Sequence, residues 1–355
     1  MTSTISLDHF AETLASSGHA PEHDWRPYLV RLAVGEHPRF SALCQQHGIT
    51  LLDTIDRQLD ELASLRPPAG ERSRPAMPAD LAAYGCWAYL PWTAQVAHLL
   101  PPAEYLRVVT DRNRNKITRA EQQLLRTKRV GVLGLSVGAE AAIVIAQEHL
   151  CGHLVLADFD RLELSNLNRL GASHADIGRP KTRIAARRIA AIDPYLQVTL
   201  LEEEINQDNV EDFLYGLDLL VEECDSAATK YDTRTAARRL GLNVVYAADE
   251  RGFLSVEPYA THPELSPFHG IVSPDLAHSA DRFTALVEWL GGLSALSVRS
   301  QESVGLIGTD LSGYPQLAGE ARYAAGQIAH VARRLLLGEQ ISPFHGHLDL
   351  AAAIT

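Results

Sequence analysis

The stretch Arg129-Val-Gly-Val-Leu133 runs into Gly134-Leu-Ser-Val-Gly138 and then into the twelve residues AEAAIVIAQEHL, 139–150. A short apolar run, a glycine-bracketed turn and a segment rich in helix formers predict strand, turn and helix. A strand without polar alternation suits a parallel sheet covered on both faces. The segment HLVLAD, 153–158, supplies a second such strand and closes a βαβ unit, whose crossover is expected to be right-handed. The alternation continues downstream. PKTRIAARRIAAID reads as a helix with Pro180 near its first turn, LQVTLL as a strand, DNVEDFLYG as a short helix and DLLVEEC as a strand. SAATKYDTRTAARRL reads as a helix with Ser226 as a candidate cap, followed by the strand NVVYAA and an added strand FLSVEPY. Upstream, Thr118-Arg-Ala-Glu121 has capping-box spacing and predicts a helix to about Thr127. The expected fold is α/β, with a doubly wound, mainly parallel, Rossmann-like sheet.

Three regions follow: a mostly helical accessory region at 1–110, a nucleotide-binding core at 111–260, and an extension at 261–355 that packs on the core. In the first, Leu52, Ile55, Leu59 and Leu62 recur at helical spacing. The four prolines of RPPAGERSRPAMPAD, 66–80, predict a loop or linker, and YGCWAYLPW, ending at Trp92, a packed structural segment. Residues from about 280 to 337 read as helices around a polar connection. A net charge of −12 disfavours broad nucleic-acid binding. Cys44, Cys86, Cys151 and Cys224 form no C-x-x-C pair and no disulfide framework, so a zinc knuckle is not expected and a reducing cytoplasm fits. The start MTSTISLDHF lacks the layout of a signal peptide, and no apolar run is long enough to span a bilayer.

A glycine turn between a strand and a helix N-terminus is an anion site, because backbone N–H groups and the positive helix end face one pocket. Gly134, Ser136 and Gly138 line that turn, with Ser136 where a dinucleotide motif has its middle glycine. Asp158 ends the second strand, where a carboxylate suits a ribose hydroxyl. That spacing alone equally allows an NAD(P)-dependent oxidoreductase. Arg169 and Lys181 bring two cations toward the turn, and Asn166, three residues before Arg169, shares its face on a helical turn. Hydride transfer has no use for such cations, whereas moving charge among phosphate oxygens does. Asp225 follows the strand DLLVEEC at the edge where such sheets bind ligands, and is the candidate Mg²⁺ ligand. Glu222 and Glu223 are expected to be local structure. The same Gly134–Gly138 turn also matches the G-x-S-x-G nucleophile elbow, with Asp225 and His345 or His347 formally available, so a serine hydrolase acting through Ser136 is the rival reading. A catalytically inactive nucleotide-binding scaffold is another.

Taken together, the Gly134–Gly138 turn, Asp158-Phe-Asp160, Ser165-Asn-Leu-Asn-Arg169, Gly178-Arg-Pro-Lys181, Ile192-Asp-Pro194 and Glu222-Glu-Cys-Asp225 resemble the ThiF/MoeB/HesA adenylyltransferases, relatives of ubiquitin-activating enzymes. The resemblance spans about Asp111 to Tyr259. It implies an ATP- and Mg²⁺-dependent enzyme that activates a carboxylate as an acyl-adenylate, the carboxylate being a carrier-protein or peptide C-terminus or a small acid. It assigns Asp158 to the ribose, Asp160 to the same nucleotide site, Asn166, Arg169 and Lys181 to the phosphates, and Asp225 to Mg²⁺. Arg112 or Arg114 corresponds to an arginine that reaches a partner subunit's ATP site, and the resemblance implies a homodimer. Glu222 stands where relatives have the first aspartate of D-x-x-D. The zinc cysteine pairs of relatives are missing, and no cysteine follows Cys224 to form a thioester.

Overall fold

The computed structural model describes residues 4–16, 25–65 and 79–354. The chain divides into two units, Met1–Arg119 with Ala186–Gln197, and Ala120–Ala185 with Val198–Thr355.

In the first unit, helices supply more of the described residues than strands, yet a sheet organises them. It has five strands, β1 (Thr4–Ile5), β2 (Tyr28–Val30), β3 (Thr50–Leu52), β4 (Cys86–Leu90) and β5 (Gln95–Leu99), in the order β1-β2-β4-β5-β3. The aromatic stretch is its centre: β4 pairs antiparallel with both β2 and β5. Trp87 is fully buried with Phe10 and Phe40, and stacks on His98 at 4.1 Å. Ile55, Leu59 and Leu62 form the buried face of the helix Ile55–Ser64, as their spacing predicts. Leu52 lies instead in β3, because Asp53 Oδ1 accepts the Ile55 amide at 3.2 Å and the helix starts there. Most of the proline-rich segment lies outside the described residues. Its last residue, Asp80, accepts the Ala82 amide and opens the turn Leu81–Ala83.

The second unit is built on a seven-stranded sheet. Its strands are β6 (Arg129–Leu133), β7 (His153–Ala157), β8 (Gln197–Leu201), β9 (Leu219–Glu222), β10 (Val244–Ala247), β11 (Phe253–Glu257) and β12 (Phe344–His347), in the order β12-β11-β10-β9-β6-β7-β8. β6 is parallel to β7 and β9, and β9 to β10. The added strand β11 is antiparallel to β10 and to β12, which ends the sheet. The apolar run of β6 is buried from Val130 to Leu133, as a strand covered on both faces must be. The helix Val137–Gln147 is almost wholly buried and packs on the helix Ala318–Leu336. Both present alanines, Ala139, Ala141 and Ala142 on one and Ala321, Ala324 and Ala325 on the other, so their axes can approach closely. The parallel strands β9, β6 and β7 therefore end on one edge, and the loops leaving that edge carry the candidate site.

Candidate functional site

The turn after β6 is fixed by backbone geometry before any ligand is considered. Gly134 sits at φ +84°, and a Cβ there would fall 2.5 Å from the Glu223 carbonyl carbon and oxygen. Only glycine lets this turn lie against the end of β9. At Gly138 a Cβ would stand 3.0 Å from Val132 Cγ1, a tight but less forbidding contact. Ser136 precedes the helix Val137–Gln147 without capping it through its side chain. Asp158 Oδ2 accepts the Leu135 amide at 2.6 Å and Oδ1 the Asp160 amide at 2.7 Å, tying the turn to the end of β7. Burial pushes the Asp158 carboxyl up, against the Lys181 charge and these two amides. Asp158 thus holds the turn in shape, and each oxygen keeps a second lone pair for a further donor.

Two cations stand beside the turn. Arg169 Nε donates to Ser136 Oγ at 3.3 Å, while its Nη1 donates to Ser165 O at 3.3 Å and Asn168 Oδ1 at 2.9 Å. Arg169 ends the 3-10 turn Leu164–Asn168, which buried Asn166 stabilises by accepting the Glu163 amide on Oδ1 at 3.0 Å. Asn166 therefore spends its carbonyl locally and has its amide N–H groups to offer a ligand. Lys181 opens the helix Lys181–Ile192 and pairs with half-exposed Asp160, Nζ to Oδ2 at 2.7 Å.

At the end of β9 the two adjacent glutamates are internal. Glu222 is fully buried and accepts from Lys230 Nζ at 3.3 Å and from Arg234, whose Nε also donates to Glu257 at 2.6 Å. Burial alone would raise the Glu222 carboxyl; Lys230, Arg234 and the Cys224 side chain reverse this and hold it below the usual range. Glu223 accepts the Ala247 amide at 2.9 Å, and burial drives its carboxyl well up. Burial also drives the Cys224 thiol up, so it is no thiolate. Asp225 is exposed, one residue beyond the Cys224 amide that presses on Gly134.

Nine of the eleven singled-out residues thus gather at the ends of β6, β7 and β9: Gly134, Ser136, Gly138, Asp158, Asp160, Asn166, Arg169, Lys181 and Asp225. Arg112 and Arg114 belong to the other unit, where Arg114 pairs with Asp111 at 2.8 Å. The hydrolase triad does not assemble. His345 and His347 lie on β12, separated from β6 by β11, β10 and β9. Their Nε2 atoms face the carbonyls of Trp289 and Leu290 at 2.6 and 3.0 Å, and Ser136 Oγ meets Arg169 rather than a base.

Sequence reasoning missed the wall beyond β10. Asp249 and Glu250 follow that strand and are both buried. Glu250 accepts from the Ser297 amide at 2.7 Å, Ser300 Oγ at 2.6 Å and Tyr314 OH at 2.8 Å. Asn168 Nδ2 donates to Gln316 O at 2.7 Å, and Arg322 Nη1 to Arg169 O at 3.5 Å. Residues 297–322 therefore border the Arg169 site. The available signal was a pair of acids directly after an apolar strand, the same pattern that marked Asp158 and Asp225.

Residues 110–264 match the model of the ThiF family. The uncharacterized protein MT1398 of Mycobacterium tuberculosis (strain CDC 1551 / Oshkosh) is 39% identical over 312 residues, which are 85% of this chain and 42% of that protein. The sulfur carrier protein ThiS adenylyltransferase of Escherichia coli (strain K12) is 31% identical over 129 residues, covering 36% of this chain and 51% of that one. The chain thus spans about half or less of the length of these curated relatives. Among solved structures, the E. coli tRNA N6-threonylcarbamoyladenosine dehydratase TcdA superposes with a TM-score of 0.50 at 18% identity, over 68% of this chain and 98% of that one, a likeness of fold. Among the described residues no helix is long and apolar enough to cross a membrane, and no group of three His, Cys, Asp or Glu side chains is set to hold a metal ion.

Proposed function

We propose that this chain, which belongs to the ThiF family through residues 110–264, is an ATP- and Mg²⁺-dependent adenylyltransferase that activates a carboxylate as an acyl-adenylate. The observation that carries this reading is the convergence of Arg169 on Ser136 with the Gly134 turn wedged against the end of β9. A helix N-terminus and a guanidinium then face one pocket, and Lys181 adds charge beside Asp158. In the reaction a carboxylate oxygen bonds to the α-phosphorus of ATP, and the bond to pyrophosphate breaks with its electron pair on the leaving oxygen. The protein need supply no nucleophile; it positions two anions and offsets their repulsion. Arg169 and the turn amides hold phosphate oxygens. Lys181 exchanges Asp160 for the nucleotide, and Asp158 keeps the turn in shape while accepting from the ribose.

Mg²⁺ takes one or two carboxylates and fills its remaining positions with phosphate oxygens and water. Exposed Asp225 fits that habit as the lone protein ligand. Bound there, the ion supplies positive charge against the triphosphate.

Burial holds the Cys224 thiol protonated and unsuited to carry a thioester, and in this reading the acyl group goes from the adenylate directly to a second substrate or to an internal group. The carboxylate is a carrier-protein or peptide C-terminus or a small acid. A homodimer, with Arg112 or Arg114 reaching the partner's site, accompanies this reading, and a monomer by light scattering would remove that part. The chemistry is tested by exchange of radiolabelled pyrophosphate into ATP with peptides ending in Gly-Gly and a panel of small acids. Exchange that depends on one carboxylate and on Mg²⁺ is expected. No ATP binding, and no exchange with any member, would refute it.

A further inference from the structure

The loop after β10 carries a carboxyl with no task in adenylation. Asp249 is 8% exposed, and its Oδ2 is buried without a hydrogen-bond partner. A buried carboxyl oxygen lacking a donor is strongly disfavoured and asks for an explanation. The Gln316 side chain and the Arg169 charge both favour the ionised form of the same carboxyl. The other groups whose charge reaches it are Glu223, Tyr246, Tyr314 and Glu320, with Glu250 next in the chain. Apart from Arg169, every one is an acid or a phenol. Such surroundings repel an anionic nucleophile such as a thiolate and favour N–H donors.

Resting on the adenylation reading, we propose that Asp249 binds an amine acceptor and takes up the proton it sheds, so that the second half-reaction forms an amide. The neutral amine nitrogen, held at Asp249 Oδ2, bonds to the acyl carbon. The C–O bond to AMP breaks, and its electron pair leaves on the AMP phosphate oxygen. The proton lost by nitrogen passes to Asp249 Oδ2 and from there to water. Arg169 lies on the phosphate side of the bond that breaks and Asp249 on the acceptor side. Gln316 stands between the two, since its carbonyl accepts from Asn168 Nδ2 at 2.7 Å while its side chain favours the Asp249 carboxylate. The amine takes the partnerless Oδ2, beside the Gln316 side chain. Burial raises the Asp249 carboxyl to about 6, which leaves it ionised near neutrality and more basic than an ordinary aspartate.

Synthetic N-acetylglycyl-AMP, supplied preformed, separates acyl transfer from adenylation. With the full chain and methoxyamine, a weakly basic amine, amide should form faster than in buffer and faster than the thioester made with methanethiol. Asp249→Asn should lower the enzymatic amide rate roughly 10²-fold, while binding of radiolabelled ATP stays at the wild-type level. The wild-type rate should climb as pH passes about 6, and the variant should lack that limb. Gln316→Ala, which clears the side chain beside Asp249, should lower KM for methoxyamine. Equal amide rates in wild type and Asp249→Asn, or a wild type that favours the thiol, would overturn the proposal. A wild type that cannot bind ATP would overturn the adenylation reading beneath it.

Discussion

Two clusters of charge occupy the second unit, and they are built in opposite ways. In the interior, Glu222, Lys230, Arg234 and Glu257 are all at most 2% exposed and answer one another. Tyr259 OH and the Phe268 amide complete Glu257 at 2.8 Å each, and aromatic faces flank the cations, with Lys230 4.0 Å from the centre of the Tyr246 ring. At the sheet edge, Arg169 and Lys181 make bonds a ligand can replace, to a serine hydroxyl, a carbonyl, an amide oxygen and a half-exposed aspartate. Charges that satisfy each other in the dark hold the sheet to its helix; charges on replaceable partners at a sheet edge are free to turn to a ligand, a triphosphate in the function proposed above. Glu222 shows how little motif position says by itself, because it stands at a motif position yet points inward.

Breaking the interior cluster should have the largest effect. Arg234→Ala leaves Glu222 and Glu257 buried without their shared cation, and should cost about 3–5 kcal/mol in chemical denaturation. A loss below about 1 kcal/mol would mean that the cluster does not hold the unit together. The edge cluster should respond in the opposite currency. Arg169→Ala and Lys181→Ala should each slow pyrophosphate exchange by roughly 10²–10³-fold, about 3 kcal/mol in the transition state, with the denaturation midpoint little changed. Wild-type exchange in both would remove the site assignment.

The pH dependence of stability sharpens the contrast. Glu222 has its folded pKa depressed, so its contribution is present above the unfolded carboxylate value and lost as pH falls through the folded one. Asp249 has its folded pKa raised to about 6, so its contribution is present below the unfolded value and lost as pH rises through about 6. Asp249→Asn should therefore stabilise the protein at pH 8, on the order of 3 kcal/mol, and by little at pH 3, below the unfolded carboxylate value. Thermal melts at the two pH values decide it, and the same gain at both would show that burial does not strain this carboxyl. The smallest effect belongs to Ser136→Ala, which removes one long hydrogen bond to Arg169, roughly 0.5–1.5 kcal/mol in exchange. Loss of activity at the level of Arg169→Ala, with fluorophosphonate labelling of the wild-type serine, would revive the hydrolase.

The βαβ unit was legible because its signals are local. The apolar run at 129–133, the glycines at 134 and 138 and the carboxylates ending two strands each state a conformation or an edge position within a few residues. The five-stranded sheet of the first unit was not, because β1, β2 and β3 are two or three residues long and show no alternation before pairing. Leu52 fits the helical spacing of its neighbours, and only its pairing with Ala97 of β5, far along the chain, assigns it to a strand.

The sequence by itself determined the doubly wound core, the glycine turn and the identity of the edge cations and carboxylates, since these follow from backbone sterics and from periods of two and three to four residues. Tertiary structure alone decided which acids are sealed inside and which face the edge. It also decided that His345 and His347 stand three strands from Ser136, and that residues 297–322 border Arg169. Those outcomes depend on long-range pairing and on desolvation, which exist only once distant segments have packed.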